Sequence, residues 1–393
     1  MKTLEAIDLV RDFDGDDRLD DRLILFEHLK AKGLPHKKDE LFRQSGIEKV
    51  YAAQSAVIVE NPVYAPLPSG PCLVFDGGVL DTSLTKLGSH MSLQKVKPLE
   101  ALHVQEALPL MAHILTKTTW RLCIHDKATE SVTIVHRNNG GEHHSALDIV
   151  VEKGVHAKIM ERYEYASGII NNAVEIVVKE EASLVLTRVQ LGTSLSYPLS
   201  FYKVEVEERG SFDVVSLEKG ADIGIARWNV VLMGEQARAN VSVLQLGVKK
   251  QHLSTLISLH HDAPKTTSYQ LIKQILAEEA QGTIDATVQV SHEGAGTVAH
   301  QLCRSLLLGD EAKAKVHVKP QLEIFIDDLE ASHGASVGQL DEAHLFYLMS
   351  RGLSEEQAGE LLKGAFIKEV IEKISVEHRD EVLRLVPEAT YDE

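Results

Sequence analysis

His333 stands in a run of small residues, Ala331, Ser332, Gly334, Ala335 and Ser336, that leaves its imidazole sterically open. Gly334 lets backbone or a second molecule come close. An open imidazole suits a ligand or an acid–base group; the plainer alternative is a hydrogen-bonded turn histidine. Cys303 precedes it in the segment HQLCRSLLLG. Most free cysteines are small buried hydrophobes, and that is its plainer reading. If the chain winds in coils of roughly 20–30 residues, the two side chains stand about one turn of the stack apart, on strands about 4.8 Å from each other. A thiolate beside an imidazole suits iron, an iron–sulfur cluster or zinc.

Other arrangements carry less chemistry. Neither His143-His144 nor His260-His261 has helical i, i+4 spacing with a carboxylate partner, so the HExxH logic of a zinc hydrolase is missing. The sequence contains no GxxxxGK[ST], no GxSxG, and no GxGxxG after a strand-like run. A β-helix hydrolase would need Asp, Arg or Lys repeating on one face, and no such cluster stands out. The net charge of −17 and the lack of a basic run argue against nucleic acid as a partner. The acidic start MKTLEAIDLVRDFDGDD has no apolar core of a secretory signal, and no stretch reaches the ~20 apolar residues of a spanning helix. A cytoplasmic protein with its three cysteines as thiols is expected.

These residues must be positioned by elements legible in the periodicity. Apolar residues make up 44% of the 393, but aromatics only 5%, so the interior is built of Val, Ile, Leu and Ala. Asp17 to Lys30 reads as a helix with Leu19, Leu23, Phe26 and Leu29 on one stripe, ended by Gly33 and Pro35. Cys72 to Phe75 reads as a strand, and Ala101 to Leu115 as a second helix. From about Trp120, short β-branched runs follow one another: SVTIVHR, AVEIVVKE, SLVLTRV, YKVEVEE, FDVVSLE, WNVVLM, ANVSVLQL. The stretches VVEKGVHAKI, VVKEEASLVL and VEERGSFDVV echo one another. Aligning their small residues Gly154, Ala182 and Gly210, with Ala237 next, gives spacings of 28, 28 and 27. A fixed period of strand and turn without helix predicts a β-helix, in which each coil covers the edge of the last. A β-sandwich is the rival; it explains the strand density but not the echo. After PQLEIFID the pattern turns helical, with Asp341 as N-cap, Gly352 after the helix end, and Ser354 with Gln357 as a capping box. The next helix places Ala358, Leu361, Leu362, Ala365, Phe366 and Val370 on one stripe, and a short helix follows over Glu377 to Leu385. The expected organisation is a helical and mixed region over 1–116, a β-helix over 117–335, and a helical domain over 336–393.

The segment PQLEIFIDDLEASHGASVGQLDEAHLFYLMSRGLSEEQAGELLKGAF resembles the C-terminal signature of the SUF iron–sulfur assembly scaffolds, SufB and SufD. HDAPKTTSYQLIKQIL, GTIDATVQV and AHQLCRSLLLGDEAKAKVHVKPQLEI extend the match upstream, and KGLPHKKDELFRQ is similar to the GLP segment of SufD. The resemblance implies a mainly β fold, a right-handed parallel β-helix between two helical regions. It implies a non-catalytic scaffold in a complex with the SufC ATPase, which hydrolyses the ATP, and transfer of a transient cluster to apo iron–sulfur proteins. It implies that the C-terminal helices dock SufC, with Phe346, Tyr347, Arg351, Leu362 and Phe366 as candidate contacts, so that deleting 341–393 would leave a soluble β-helix. Cys303 and His333 become candidate cluster or metal ligands. The family is also linked to reduced flavin, which no residue here locates. The wording SHGASVGQLD looks like SufD, with Gly334 where SufB carries Glu, but Ala331 replaces the Cys usual in SufD, and Cys303 matches the scaffold cysteine of SufB. Two assemblies follow: a SufD-like chain paired with SufB, or a stand-alone scaffold paired with a second copy of itself. A pure interaction scaffold without a ligand and a β-helix hydrolase remain as other classes.

Overall fold

The computed structural model describes residues 19–53, 57–97, 101, 103–126, 130–309 and 313–389. The N-terminal region holds helices α1 (Leu19–Lys32) and α2 (Ile47–Ala52), strands β1 (Cys72–Asp76), β2 (Val79–Leu80) and β3 (Met91–Val96), and helix α3 (Ala107–Leu115). Strand β4 (Thr119–Ile124) leads into two long strands, β5 (Val132–Val151) and β6 (His156–Val178). Eleven shorter strands follow: β7 (Ser183–Gly192), β8 (Ser196–Val206), β9 (Ser211–Lys219), β10 (Ile223–Leu232), β11 (Arg238–Gly247), β12 (His252–His261), β13 (Thr267–Ala277), β14 (Gln281–Val290), β15 (Thr297–Leu308), β16 (Lys315–Ile324) and β17 (Leu329–Gly338). The chain closes with α4 (Glu342–Ser350), α5 (Glu355–Ile371) and α6 (Val376–Leu385).

The strands build a parallel β-helix with two strands per coil. One sheet stacks the first halves of β5 and β6, then β7, β9, β11, β13, β15 and β17, all in parallel register. The other stacks β4, the second halves of β5 and β6, then β8, β10, β12, β14 and β16. The inner faces of the two sheets form the main core, from Ile159, Leu186 and Val214 on one side to Val204, Val230 and Leu259 on the other. Most outer faces are covered as well, so strands are buried on both sides and read as nearly continuous apolar runs.

The coil turn explains the sequence echo and corrects its alignment. Gly154, Glu181, Arg209, Gln236, Lys265 and Gly296 all adopt a left-handed backbone at the same corner. Each donates its N–H to a carbonyl in the next coil's turn, from Gly154 to Glu180 O at 3.0 Å through to Gly296 to Asp328 O at 2.7 Å. This strained conformation is uncommon outside glycine, and here the inter-coil hydrogen bond holds it. Gly154 is therefore equivalent to Glu181, Arg209 and Gln236, one position before Ala182, Gly210 and Ala237. The coil also lengthens along the chain. His156 is in register with Ser183, Arg238 with Thr267 and Gln301 with His333, each step longer than the one before.

Helices cover the outer faces. Leu25, Leu29, Leu108, Met111 and Ile114 pack on Ile169, Leu199, Phe201, Ile225 and Leu256 of one sheet. The buried side of α1 is Arg22, Leu25, Phe26 and Leu29, while the expected Leu23 is exposed. Arg22 can be buried because its guanidinium donates to the Ile114 and Lys117 carbonyls. The second expected helix shortens to Ala107–Leu115. On the other sheet, Ile367, Val370, Ile371, Ile374, Val382 and Val386 cover Met160, Val189, Leu217, Leu244, Leu271 and Leu306. The contact stripe of α5 is Ala358, Gly364, Ile367, Val370 and Ile371, so the expected stripe is rotated: Leu361 and Ala365 face outward.

The histidine pair at 260–261 belongs to this fold. His261 is fully buried, its ring nitrogens 2.7 Å from Thr266 Oγ1 and 2.8 Å from Ser268 Oγ. Burial pushes its pKa down from 6.5 to about 4, and does the same to His252. The folded pKa thus lies below the unfolded one. Above pH 6.5 both states are neutral; as pH falls from 6.5 towards 4, only the unfolded chain takes up protons, and stability is lost at up to about 1.4 kcal/mol per pH unit for each histidine. His261→Gln is expected to reduce that slope by about one histidine's share. Urea midpoints between pH 6.5 and 4.5 measure it, and an unchanged slope would count against the assignment.

Candidate functional site at the open end of the solenoid

Strand β16 pairs only with β14, and β17 only with β15. Their outer edges meet no further strand among the described residues, whereas β1 to β4 close the other end through antiparallel pairs. The last coil therefore presents two free strand edges and an unroofed lumen. An uncovered edge is a template for pairing with another chain. Pro320 lies in β16, as edge strands tolerate; β17 has no proline.

His333 sits on β17 and is exposed. Its partner in register is Gln301, which is buried. Gly334, the next residue, lies over Leu302, which packs with the outer helices. By strand alternation His333 has the inward parity, and it stands over the open lumen. Cys303 also has inward parity, one coil below, and is fully buried in the main core. Its register partner is Ala335, not His333. The structure thus puts the two on adjacent coils but two positions out of register, roughly 8 Å apart at Cα, given about 4.8 Å between strands and about 3.3 Å per residue along them. Spacing alone missed this because the coil has lengthened by this point in the chain. Burial pushes the Cys303 thiol up to about 12. Among the described residues, no cluster of three or more His, Cys, Asp or Glu is arranged to hold a metal.

The helical candidates separate into two groups. Phe346 and Tyr347 on α4 are 75% and 54% exposed, and Arg351 lies over the Tyr347 ring at 5.3 Å. Met349 and Leu361, which the sequence reading did not single out as contacts, are exposed on the same unit. Leu362 and Phe366 are half-buried, and Phe366 packs into the contact between α5 and the sheet. Lys273, buried on β13, donates to the Phe366 carbonyl at 2.6 Å, pairs with Glu369 at 2.8 Å and lies 4.9 Å from the Phe366 ring centre. Nothing in its sequence context marks Lys273 as the clasp of the helical unit. The caps were legible: Asp341 accepts from the His344 N–H at 2.9 Å, Gly352 has φ 98°, and Ser354 with Gln357 forms the capping box.

Residues 134–366 match the family model described as SUF system FeS cluster assembly, SufBD core domain. That span runs from β5 to α5 and includes both Cys303 and His333. The chain belongs to the SufBD family of iron–sulfur cluster assembly proteins. Among its relatives, Protein ABCI7, chloroplastic, of Arabidopsis thaliana is 32% identical over 230 residues, 57% of this chain and 48% of that protein. An iron–sulfur cluster assembly SufBD family protein of Staphylococcus saprophyticus is 28% identical over 256 residues, 64% of this chain and 54% of its own length. A SufBD family protein of Staphylococcus aureus is 29% identical over 223 residues, 56% of this chain and 48% of its own. This SufBD chain spans about half the length of the curated relatives it matches. No helix among its described residues is long and apolar enough to cross a membrane.

Proposed function

We propose that this chain is a SufD-like scaffold subunit that works with a SufB-type partner and a SufC-type ATPase. The complex assembles an iron–sulfur cluster as cargo and passes it to apo iron–sulfur proteins in the cytoplasm. One observation carries the reading: the solenoid is closed at one end and covered on its outer faces, yet it leaves two free strand edges at the other, and the candidate histidine stands on one of them. A SufB-type chain pairing across that end would roof the lumen and face His333. Gly334 supports the SufD-like assignment. Its φ is not left-handed, and a Cβ there would meet only Leu302 Cδ1 at an ordinary 3.4 Å, so the backbone does not demand glycine where SufB carries glutamate. Cys303 favours the second reading, a stand-alone scaffold whose open end pairs with its own copy.

In either assembly one Cys and one His make a partial ligand set. Four thiolates would hold a cluster firmly, whereas a partial set leaves positions exchangeable with an acceptor. The catalytic work, ATP hydrolysis, lies with the ATPase. Reduced flavin remains part of the reading as a cofactor of the complex, with no residue assigned to it.

The ATPase docks on the exposed side of α4 and α5. Aromatic anchors of this kind typically cost about 2 kcal/mol or more when truncated, and Phe346→Asp with Tyr347→Asp adds charge to an apolar contact. The double variant is expected to weaken binding of a purified SufC-type ATPase by at least about 100-fold in a titration, with an unchanged melt. Wild-type affinity would refute the docking surface. Sedimentation of the chain alone, and mixed with a SufB-type scaffold, separates the two assemblies.

A further inference from the structure

A column of three polar residues runs up the inner face to the open end: Gln270 on β13, Gln301 on β15 and His333 on β17, each the register partner of the next. Gln270 and Gln301 are buried. The Gln301 amide nitrogen is fully committed. It donates to Gln270 Oε1 at 3.0 Å, on the coil below, and to the Ala286 carbonyl at 3.0 Å, on the opposite sheet. Its oxygen, Oε1, is buried and has no hydrogen-bond partner among the described residues, His333 included. Flipping this amide alone would sacrifice both donated bonds; flipping it together with Gln270, whose own Nε2 also lacks a partner among the described residues, would still turn an oxygen against the Ala286 carbonyl, so the oxygen is the group left over.

A buried acceptor without a donor is destabilising and rare in native proteins. Only the last coil lies above Gln301, and the side chain in register there is His333. A neutral imidazole carries one N–H donor and one lone pair, and the bond made by the first decides where the second points.

We propose that Gln301 is a positioning residue for His333: its buried carboxamide oxygen accepts the N–H of the imidazole, fixing the ring tautomer and presenting the other nitrogen as a free lone pair at the open end. The Ala286 carbonyl acts one step further back, by holding the Gln301 amide the right way round. A ligand histidine held in this way offers a preset donor to incoming iron. What that lone pair receives rests on the function proposed above; the tautomer is a property of the chain alone.

The test is made on the full chain with no metal present. Histidine labelled with ¹⁵N gives long-range ring correlations that report the tautomer, and the His333 signals are those lost in His333→Gln. At about pH 8, where an ordinary imidazole is neutral, wild-type His333 is expected to show one dominant tautomer. Gln301→Met keeps the length but removes the acceptor; Gln301→Asn draws it back by one methylene. Each should shift the tautomer ratio by roughly 2- to 10-fold, the worth of one hydrogen bond. Either variant serves if the other does not fold. An even tautomer mixture in the wild type, or an unchanged ratio in a folded variant, would overturn the assignment. Failure of cluster assembly would leave it standing, and failure of the tautomer test would leave the scaffold reading standing.

Discussion

Removing residues 341–393 is expected to leave the β-helix insoluble. The deletion takes away Ile367, Val370, Ile371, Ile374, Val382 and Val386 and uncovers Met160, Val189, Leu217, Leu244, Leu271 and Leu306 on the sheet. Full burial of one such side chain is worth about 1.5–3 kcal/mol, so even a few of these contacts rival the roughly 5–15 kcal/mol that separates a typical folded domain from its unfolded chain. Lys273 would also lose Glu369 and the Phe366 carbonyl, its two polar partners. The same deletion opens the Lys273 ammonium to solvent, so the loss of this half-exposed pair adds little beside the apolar surface uncovered. This reverses the expectation drawn from sequence, in which the terminal helices are a separable dock. Soluble yield and a thermal melt of the truncated chain measure the effect. A soluble product with a cooperative melt close to that of the full chain would show that α5 and α6 are accessory. Lys273→Met is the milder companion: it leaves Glu369, already half in solvent, without its cation, and should loosen α5 without losing the fold.

The reason the sequence misled there is physical. Helix α5 carries apolar residues around most of its circumference, so periodicity does not single out one side. Contact with the sheet selects Ile367, Val370 and Ile371 and leaves the comparably large Leu361 outside. The β-helix itself was legible because its turn recurs under a hydrogen-bonding constraint that repeats with every coil. The register was less legible, since a left-handed turn residue can be Gly, Glu, Arg, Gln or Lys once the next coil supplies a carbonyl. Spacing therefore gave the neighbourhood of Cys303 and His333 but not their offset, which depends on how far each corner loop has lengthened. Gln301 gave no signal at all. A glutamine two positions before a cysteine acquires meaning only when the histidine one coil above it is known.

The double change Cys303→Ala, His333→Ala is expected to abolish cluster assembly while sparing the fold. Cys303 is buried, but the alanine removes a single sulfur atom, a loss comparable to the smaller core truncations, about 1 kcal/mol. His333 is exposed on the last coil and accepts replacement at little cost. Neither residue lies on α4, so ATPase binding should persist. The chemical effect should be large. With only two candidate ligands from this chain, their removal takes both away, and cluster yield on the assembled complex should fall at least about 10-fold, a loss that even outer-sphere changes can produce at metal sites. The single variants divide the role. His333→Ala should act at first encounter, because the ring is already accessible to solvent and to a partner chain. Cys303→Ala should act on retention: burial holds the thiol protonated at neutral pH, so it becomes a ligand only as iron displaces its proton and the last coil yields. Anaerobic reconstitution with iron and sulfide, followed by visible charge-transfer absorbance and activation of an apo-acceptor, reads both steps. Wild-type yield from the double variant would make His333 a turn residue and move the cluster onto the partner chain; loss of absorbance in His333→Ala, with slow decay of a formed band in Cys303→Ala, would assign capture to the histidine and holding to the cysteine.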